Sequence, residues 1–218
     1  MAMIFDGPFY ELDVHFPPLE LRTDPTLPSW GLRVLVNEVP ELELQAVAGA
    51  VLVNESVDAL ARLGIEAQPA RNPANGAPAA WVASAQQGRL QGRDLVSWYH
   101  RQFLILTLSA VLRGKAADFM SVTEVQALLA LIEPASPQPV AQTVPDPVSP
   151  LVLSAVLRRL LAEGVGIRNL HSILMTLADR GRCENDPLLL TEYVRAGLRR
   201  QLSHQLGRGQ KLLVVFLL

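Results

Sequence analysis

Apolar and polar positions change their spacing along the chain, and the change predicts strands first and helices later. In residues 32–39, apolar and β-branched side chains alternate with polar ones, which favours a strand that Pro40 is expected to end. Residues 42–53 predict one or two further short strands, whereas Pro17 and Pro18 keep residues 14–22 extended. The first part of the chain is therefore expected to form a small sheet.

A short mixed segment is expected next. Residues 56–63 predict a helix, with Ser56 as its N-cap and Gly64 as its stop. Residues 69–78 are so rich in Pro, Gly and Asn that we expect no regular structure there. Residues 79–82 are expected to form a strand that carries Trp81 into the core. This pattern predicts an inserted α+β subdomain.

Helical spacing dominates from residue 94 onward, where a mostly apolar helix is expected to reach residue 112. Ser121 and Glu124 form a capping-box pattern that opens a second helix. The proline-rich connector over residues 134–149 is expected to be extended and stiff. Three more helices are expected, and they cover residues 150–163, 167–179 and 186–206.

The elements together predict the α+β fold class. We expect a small mixed α/β lobe with an inserted α+β subdomain, followed by an all-α helical subdomain. Residues 211–218 have the composition of a buried strand whose partners would lie in a further lobe.

Composition indicates a folded protein that has either a large core or exposed apolar surface for a partner. Half of the residues are apolar, 18% are charged, and the mean hydropathy is +0.23. No apolar run approaches the roughly 20 residues that a membrane helix needs, and the N-terminus does not have the order of a signal peptide. The sequence therefore predicts a soluble fragment in a reducing, cytoplasmic setting.

The net charge of −2 hides an uneven distribution. Residues 1–150 carry 9 basic and 16 acidic side chains, a net charge of −7, whereas residues 151–218 carry 10 and 5, a net charge of +5. One interpretation is an ordinary mixed surface. The other is that the acidic part of one copy meets the basic part of the next, because such head-to-tail contacts can close into rings.

Catalytic and metal-binding patterns are weak. The four histidines are scattered without a second ligand at metal spacing, and no glycine-rich phosphate loop follows a strand. Cys183 lies near Arg180 and Arg182, so an enzyme that uses this thiol is one alternative, although the sequence places no base beside it. We expect no cofactor, no metal and no enzymatic activity.

A DNA-binding regulator is the other alternative. Residues 165–170 are similar to the turn of a helix-turn-helix motif, and Arg195, Arg199 and Arg200 lie on the last predicted helix. A basic surface there would contact phosphates. The segment from residue 151 onward has a single lysine, few aromatic residues and only modest positive charge, which favours a role without nucleic acid.

Several segments, in collinear order, resemble the export gate family of type III secretion systems, the class that includes flagellar FlhA and injectisome SctV. The strongest is the run DPLLLTEYVR at residues 186–195, and the segment at residues 35–40 favours the injectisome branch. The other similar segments are 69–82, 118–129, 140–145, 156–168 and 173–178.

The resemblance implies part of an inner-membrane protein that faces the bacterial cytoplasm. Family members carry membrane helices that are absent from this chain, which would reach the membrane only through them. Their cytoplasmic part forms a ring, commonly of nine copies. That ring receives chaperone–substrate complexes, works with the export ATPase complex and helps to order protein export.

The resemblance also implies how the chain is divided. The implied subdomains are residues 1–53 with 94–117, the insert 54–93, the helical subdomain 118–206 with its connector 134–149, and the first strand of a truncated subdomain in 207–218.

One loop is expected to be exposed and to bind partner proteins. Its residues are Asn72, Pro73, Asn75, Gly76 and Pro78. The loop reads Asn-Pro-Ala-Asn-Gly where the family has Asp-Pro-Ala-Phe-Gly, so it lacks a carboxylate and an aromatic side chain. Because aromatic anchors often dominate protein contacts, the docking mode is expected to differ from that of the family.

A second group of residues is expected to act between subunits or within the helical subdomain. Glu192 and Arg195 are three residues apart and predict an ion pair. Arg168 stands at the start of a helix, where a cation is unfavourable, so we expect it to need an external acceptor. Leu189 and Tyr193 are expected to pack inside the helical subdomain.

Overall fold

The computed structural model describes residues 14, 16–90, 93 and 95–207. This part of the chain divides into two compact units, the first formed by residues 17–113 and the second by residues 14, 16 and 114–207. Strands dominate the first unit and helices the second, which confirms the predicted α+β class. The subdomain boundaries implied by the resemblance stay a prediction, and the strand expected over residues 211–218 lies outside the described residues.

The first unit begins with a two-stranded antiparallel hairpin. β1 spans Gly31–Val36 and β2 spans Val39–Gln45. Asn37 and Glu38 form the turn with φ values of 51° and 66°, the left-handed values that a two-residue hairpin turn needs. The expectation that Pro40 ends the first strand is wrong, because the chain turns back at residue 37 and Pro40 is the second residue of β2.

The second sheet has four antiparallel strands in the order β4-β5-β3-β6. Side chains from the central strands alternate between two small apolar clusters. One contains Val51 and Leu60, and the other contains Leu52, Trp81 and Phe103. The strands are β3 Ala50–Val53, β4 Ala67–Arg71, β5 Pro78–Ala83 and β6 Ser97–Trp98.

Residues 69–78 are more regular than their composition suggests. β4 and β5 pair from Ala67 with Val82 to Arg71 with Pro78, so only residues 72–77 form a loop. Pro69 is tolerated because β4 is an edge strand of this sheet. The expectation of no regular structure over this whole segment is therefore wrong.

Two helices belong to the first unit, and the sequence predicted one of them well. α1 spans Val57–Arg62, Ser56 accepts a hydrogen bond from the Ala59 N–H, and Gly64 follows with φ of 71°. α2 spans His100–Gly114 and begins later than expected, because residues 97–98 pair with β3 instead. Apolar spacing alone does not separate a half-buried edge strand from the first turn of a helix.

The second unit is built from six α-helices. Side-chain caps begin four of them, and the caps at Ser121, Ser149 and Asp186 confirm the predicted starts. The core packs α5, α6 and α7 around fully buried leucines such as Leu157, Leu174 and Leu190. The helices are α3 Val122–Ile132, α4 Pro137–Thr143, α5 Pro150–Ala162, α6 Leu170–Arg180, α7 Pro187–Gly197 and α8 Arg199–Gly207.

The proline-rich connector is not extended. Its central residues form α4, which buries Pro139, Val140 and Thr143. The Thr143 hydroxyl lies 2.7 Å from the Pro139 carbonyl oxygen and 3.0 Å from the Leu174 carbonyl oxygen of α6. Prolines in the first turn of a helix lose no helical hydrogen bond, so contact with α6 is able to fold this segment.

Two helix boundaries also differ from the prediction. α6 begins at Leu170 rather than residue 167, because Asn169 caps it. The helix expected to run from residue 186 to 206 is broken after Gly197, and the buried Leu198 separates α7 from α8. A Cβ on Gly197 would lie 2.8 Å from the Thr176 hydroxyl oxygen, so the close approach of α6 selects glycine at this position.

Candidate docking surfaces

The loop between β4 and β5 is held by backbone hydrogen bonds at both of its ends. The Asn72 N–H donates to the Ala77 carbonyl at 2.9 Å, and the Gly76 N–H donates to the Asn72 carbonyl at 2.8 Å. Gly76 has φ of 68°, a conformation that glycine adopts without strain. These bonds continue the strand ladder into a tight turn. This turn and Pro78, the first residue of β5, are together called the 72–78 loop.

Asn72 organises this loop from the inside. Its side chain is only 4% exposed, and its Oδ1 accepts from the Ala74 N–H at 2.9 Å. Its Nδ2 donates to Asn54 Oδ1 at 2.8 Å. The expectation that Asn72 is exposed is therefore wrong, because the side chain is buried and satisfies polar groups of the loop. Its predicted part in partner binding stays a prediction.

The outer side of the 72–78 loop is a small surface of uncharged residues with the exposed Arg71 side chain beside it. Asn75, Gly76 and Pro78 are exposed and Pro73 is half-buried. Asn75 Oδ1 accepts from the Ala77 N–H at 3.0 Å, and Arg71 Nη1 donates to the Gly76 carbonyl at 3.0 Å. The loop is thus fixed in one shape by its own contacts, as a preformed docking element requires.

The residues predicted to act between subunits or within the helical subdomain lie on α7, which carries Glu192 and Arg195, and just before α6, where Arg168 stands. Arg195 Nη1 lies 3.0 Å from Glu163 Oε2 and its Nη2 lies 2.6 Å from Glu192 Oε1. The i,i+3 pair is therefore present, and Arg195 also ties α7 to the last residue of the α5 segment. Arg168 is exposed and directly precedes the α6 N-cap Asn169.

The outer side of α7 carries exposed apolar residues beside the exposed Glu192. Leu189 is 44% exposed and Tyr193 is 39% exposed, so the expectation that both pack inside the helical subdomain is wrong. The Arg180 guanidinium lies 4.9 Å from the centre of the Tyr193 ring, a cation–π contact from α6. Leu190 and Val194 fill the buried face of α7 instead, which leaves the neighbouring positions outside.

A groove of about 650 Å³ lies where the turn before α6 meets α8. Gln201 Nε2 donates to the Gly166 carbonyl at 3.3 Å and holds α8 beside that turn. The side chains of Arg200, Gln201 and His204 line the groove, and Leu198 below them is only 3% exposed. We call it the α8 groove.

A charged network stands at the base of the first hairpin. Arg33 Nη1 lies 2.9 Å from Asp24 Oδ2, and Arg33 Nε lies 2.9 Å from Glu43 Oε2. The Thr26 hydroxyl and N–H donate to Asp24, and with Arg33 they lower the pKa of its carboxyl. The hydrogen bond to Glu43 raises the pKa of Arg33.

Comparison with known proteins places the chain in a family. The sequence profile described as the FHIPEP family matches residues 6–218. The chain belongs to the FHIPEP family. It is 31% identical over 210 residues to low calcium response locus protein D of Yersinia pestis, an alignment that covers 96% of this chain and 30% of that protein. This FHIPEP chain therefore spans less than a third of that relative.

Solved structures share the fold of this FHIPEP chain. The Chlamydia pneumoniae CdsV protein superposes with a TM-score of 0.91 at 27% identity, over 99% of this chain and 62% of CdsV. CdsV in complex with CdsO superposes with a TM-score of 0.89 at 28% identity, over 96% of this chain and 60% of that one. The nonameric SctV-C of EPEC has a TM-score of 0.73 at 19% identity, over 95% and 61%, which supports the fold alone.

Three further observations on the described part of this FHIPEP chain concern metal binding, its cysteine and membrane spanning. Its residues place no group of three or more His, Cys, Asp or Glu side chains where a metal ion would fit. Cys183 is exposed and not in a disulfide. None of the described helices is both long and apolar enough to cross a membrane.

Sequence reasoning found the 72–78 loop but missed several residues that shape the surfaces. Asn54 gives no local signal, because its bond to Asn72 joins residues 18 positions apart. The α8 groove depends on the break at Leu198 and on Gln201, which the prediction of one continuous helix concealed. The bond from the Ala74 N–H to Asn72 could be anticipated from the sequence, because asparagine side chains commonly accept from the N–H two residues on.

Proposed function

We propose that this FHIPEP chain acts by binding, without catalysis, as part of the cytoplasmic ring of a type III secretion export gate. The observation that carries the proposal is the likeness to CdsV, which extends over 99% of the chain at a TM-score of 0.91. The family match over residues 6–218 supports the same assignment to the export gate. The ring would face the cytoplasm below the inner membrane, held there by membrane helices of the longer protein.

Ring assembly is the first half of the proposal. A structure of EPEC SctV-C, which has this fold, is nonameric. In this chain, residues 1–150 carry a net charge of −7 and residues 151–218 a net charge of +5, and we propose that acidic and basic side chains from these segments meet in a head-to-tail contact. Such contacts use two different patches per copy and close into a ring when the rotation between copies allows it.

Docking of export cargo is the second half. CdsV, which shares 28% identity with this chain, has been solved in complex with CdsO. We extend binding to chaperone–substrate complexes and to components of the export ATPase complex. The 72–78 loop is the first candidate surface, because its shape is fixed by Asn72 and its exposed residues Asn75, Gly76 and Pro78 are uncharged.

The helix-turn-helix alternative gains no support from the geometry. In that motif the helix after the turn enters the major groove. Here that helix is α6, and its exposed positions carry Met175 and Asp179 besides His171 and Arg180. The methionine and the carboxylate interrupt what would otherwise be a basic face, which weakens contact with phosphates.

Sedimentation velocity at increasing protein concentration and two salt concentrations tests the proposal. We expect self-association at low salt that weakens as salt rises, because screening acts on contacts between oppositely charged surfaces. A matched binding experiment adds a chaperone–substrate pair from the same secretion system. Tight, steeply salt-dependent binding of duplex DNA, with no self-association at any concentration, would overturn the proposal.

A further inference from the structure

Asn75 carries a side chain that can react with the backbone of the next residue. It is exposed in the 72–78 loop, and it is the only one of the six asparagines in the sequence that a glycine follows. The side-chain amide of an asparagine and the backbone nitrogen of the following residue can close a five-membered ring. A Cβ on the following residue crowds this closure, and Gly76 has none.

The loop holds the Asn75 side chain over Gly76 and polarises its amide. The Ala77 N–H donates to Asn75 Oδ1 at 3.0 Å, a hydrogen bond that spans the glycine between the two residues. Attack on the side-chain carbon Cγ moves negative charge onto Oδ1. Because a fixed N–H donor stabilises charge that develops on the atom it contacts, the Ala77 N–H lowers the barrier to this attack.

Arg71 brings positive charge to the same loop. Its Nη1 donates to the Gly76 carbonyl oxygen at 3.0 Å, so the guanidinium lies beside the glycine that supplies the attacking nitrogen. A nearby cation favours the charged form of an acidic group. Arg71 therefore favours both the deprotonated Gly76 nitrogen and a carboxylate at position 75.

One hydrogen bond restrains the reaction. The Gly76 N–H donates to the Asn72 carbonyl at 2.8 Å, so the attacking nitrogen is occupied while the loop is closed. Asn72 is held in turn by its side-chain bonds to Asn54 and to the Ala74 N–H. The rate of attack therefore depends on how often this part of the loop opens.

We infer that Asn75 is a site of spontaneous deamidation, promoted by the Ala77 N–H and restrained by Asn72. The Gly76 nitrogen gives up its proton and bonds to Asn75 Cγ. The bond from Cγ to Nδ2 breaks, and Nδ2 takes up a proton and leaves as ammonia. Water then opens the resulting succinimide at either of its two carbonyl groups, which gives aspartate or isoaspartate at position 75.

The products differ from the unmodified loop in charge and in length. Both add a carboxylate to a loop whose exposed residues Asn75, Gly76 and Pro78 are uncharged. Isoaspartate also adds one carbon atom to the backbone between Asn72 and Ala77, whose hydrogen bond closes the loop at 2.9 Å. The modification does not depend on the proposed function, and it changes the shape and charge of this surface in either case.

Peptide mapping by mass spectrometry tests the site on the folded full chain. The chain is incubated at physiological temperature and mildly alkaline pH, and each asparagine is followed for replacement of its amide by a hydroxyl group. Asn37 is the internal control, because it is also exposed in a turn but is followed by Glu38, which has a Cβ. We expect Asn75 to lose its amide, with aspartate and isoaspartate both formed, while Asn37 keeps its amide. An intact Asn75, or equal loss at Asn37, would overturn the inference.

Asn72→Ala tests the restraint. The variant lacks the side-chain bonds that hold the closed loop, so deamidation of Asn75 is expected to be about three- to tenfold faster. Val51→Ala is the matched control, because it removes buried methyl groups from the same unit without changing the loop, and its rate is expected to equal that of the wild-type chain. Circular dichroism checks that both variants are folded. Equal acceleration in the two variants, or none in Asn72→Ala, would contradict the restraining role of Asn72.

Discussion

Two turns in the first unit each reverse the chain between antiparallel strands, but they are held by different contacts. The 72–78 loop, between β4 and β5, turns its asparagine inward, so that Asn72 is buried and bonded to Asn54 and Ala74. The β1–β2 turn spends two residues in left-handed conformations and exposes its apolar neighbours. The first turn is fixed by its own contacts. The second is short and holds two non-glycine residues, Asn37 and Glu38, at left-handed φ values.

This difference predicts which property a substitution in each turn will change. A preorganised loop loses little freedom when a partner docks, so small changes within its interior are expected to alter its shape. The β1–β2 turn has few internal contacts to lose, so changes there are expected to alter association more than stability. Four variants test this contrast, from the largest expected effect to the smallest.

Asn72→Ala is expected to have the largest effect on folding. It removes the side-chain bonds to Asn54 and to the Ala74 N–H and leaves a polar group of the loop unsatisfied, which costs about 2 kcal/mol of unfolding free energy. Urea unfolding followed by tryptophan fluorescence measures it, because Trp30, Trp81 and Trp98 all lie in the first unit. Asn75→Ala, in the same loop but exposed, serves as the control, and an equal loss in both variants would contradict the organising role of Asn72.

Glu38→Gly separates the strain of the β1–β2 turn from its charge. Glycine adopts the left-handed conformation of residue 38 without strain, so the variant is expected to gain about 0.5–1 kcal/mol of stability. Its self-association is expected to weaken, because an acidic side chain of residues 1–150 is lost. Glu38→Ala removes the same charge but keeps the strained φ. We expect both variants to associate more weakly and only the glycine variant to be more stable in thermal unfolding. Equal melting temperatures would show that the turn is not strained.

Leu35→Ser and Val39→Ser probe the exposed apolar side chains beside the β1–β2 turn. Both residues are more than half exposed, so the stability of the monomer is expected to change by less than about 0.5 kcal/mol. Self-association is expected to weaken, because less exposed apolar area remains for a contact between copies. Sedimentation velocity measures association, and Leu131→Ser on α3 is the control. Unchanged association in both variants would restrict the contact to charge alone.

Asp24→Asn tests the support at the base of the hairpin. The Thr26 bonds and Arg33 lower the pKa of Asp24 below its ordinary value. A carboxyl with a lowered folded pKa stabilises the fold above its unfolded pKa, and that contribution disappears as the pH falls through the folded value. We expect the wild-type chain to be more stable than the variant near neutral pH and equal to it in acid. A difference that persists at pH 2 would contradict this origin.

Local chemistry allowed much of the helical part to be predicted. Ser121, Ser149 and Asp186 are caps that act within three residues of themselves, so the sequence displays them directly. Gly64 and Gly164 have φ of 71° after their helices, as expected from a glycine stop.

Features that depend on contacts between residues far apart in the chain could not be predicted from the sequence. The connector folds into α4 because Thr143 and Val140 meet α6, a contact that its proline content does not reveal. Gly197, just before the break at Leu198, lies close to Thr176 of α6, and the buried Asn72 is bonded to Asn54, 18 residues away. The candidate docking surfaces depend on these same features, so the sequence located the 72–78 loop but not the side chains that shape it.

The central claim is that copies of this chain assemble head to tail into a closed ring. Native mass spectrometry of the chain at low and high ionic strength tests it most directly. We predict one dominant assembly at low salt whose mass is a fixed multiple of the 23.8 kDa chain, and monomers at high salt. A chain that is monomeric at every concentration and salt, or an open series of masses with no preferred size, would contradict it.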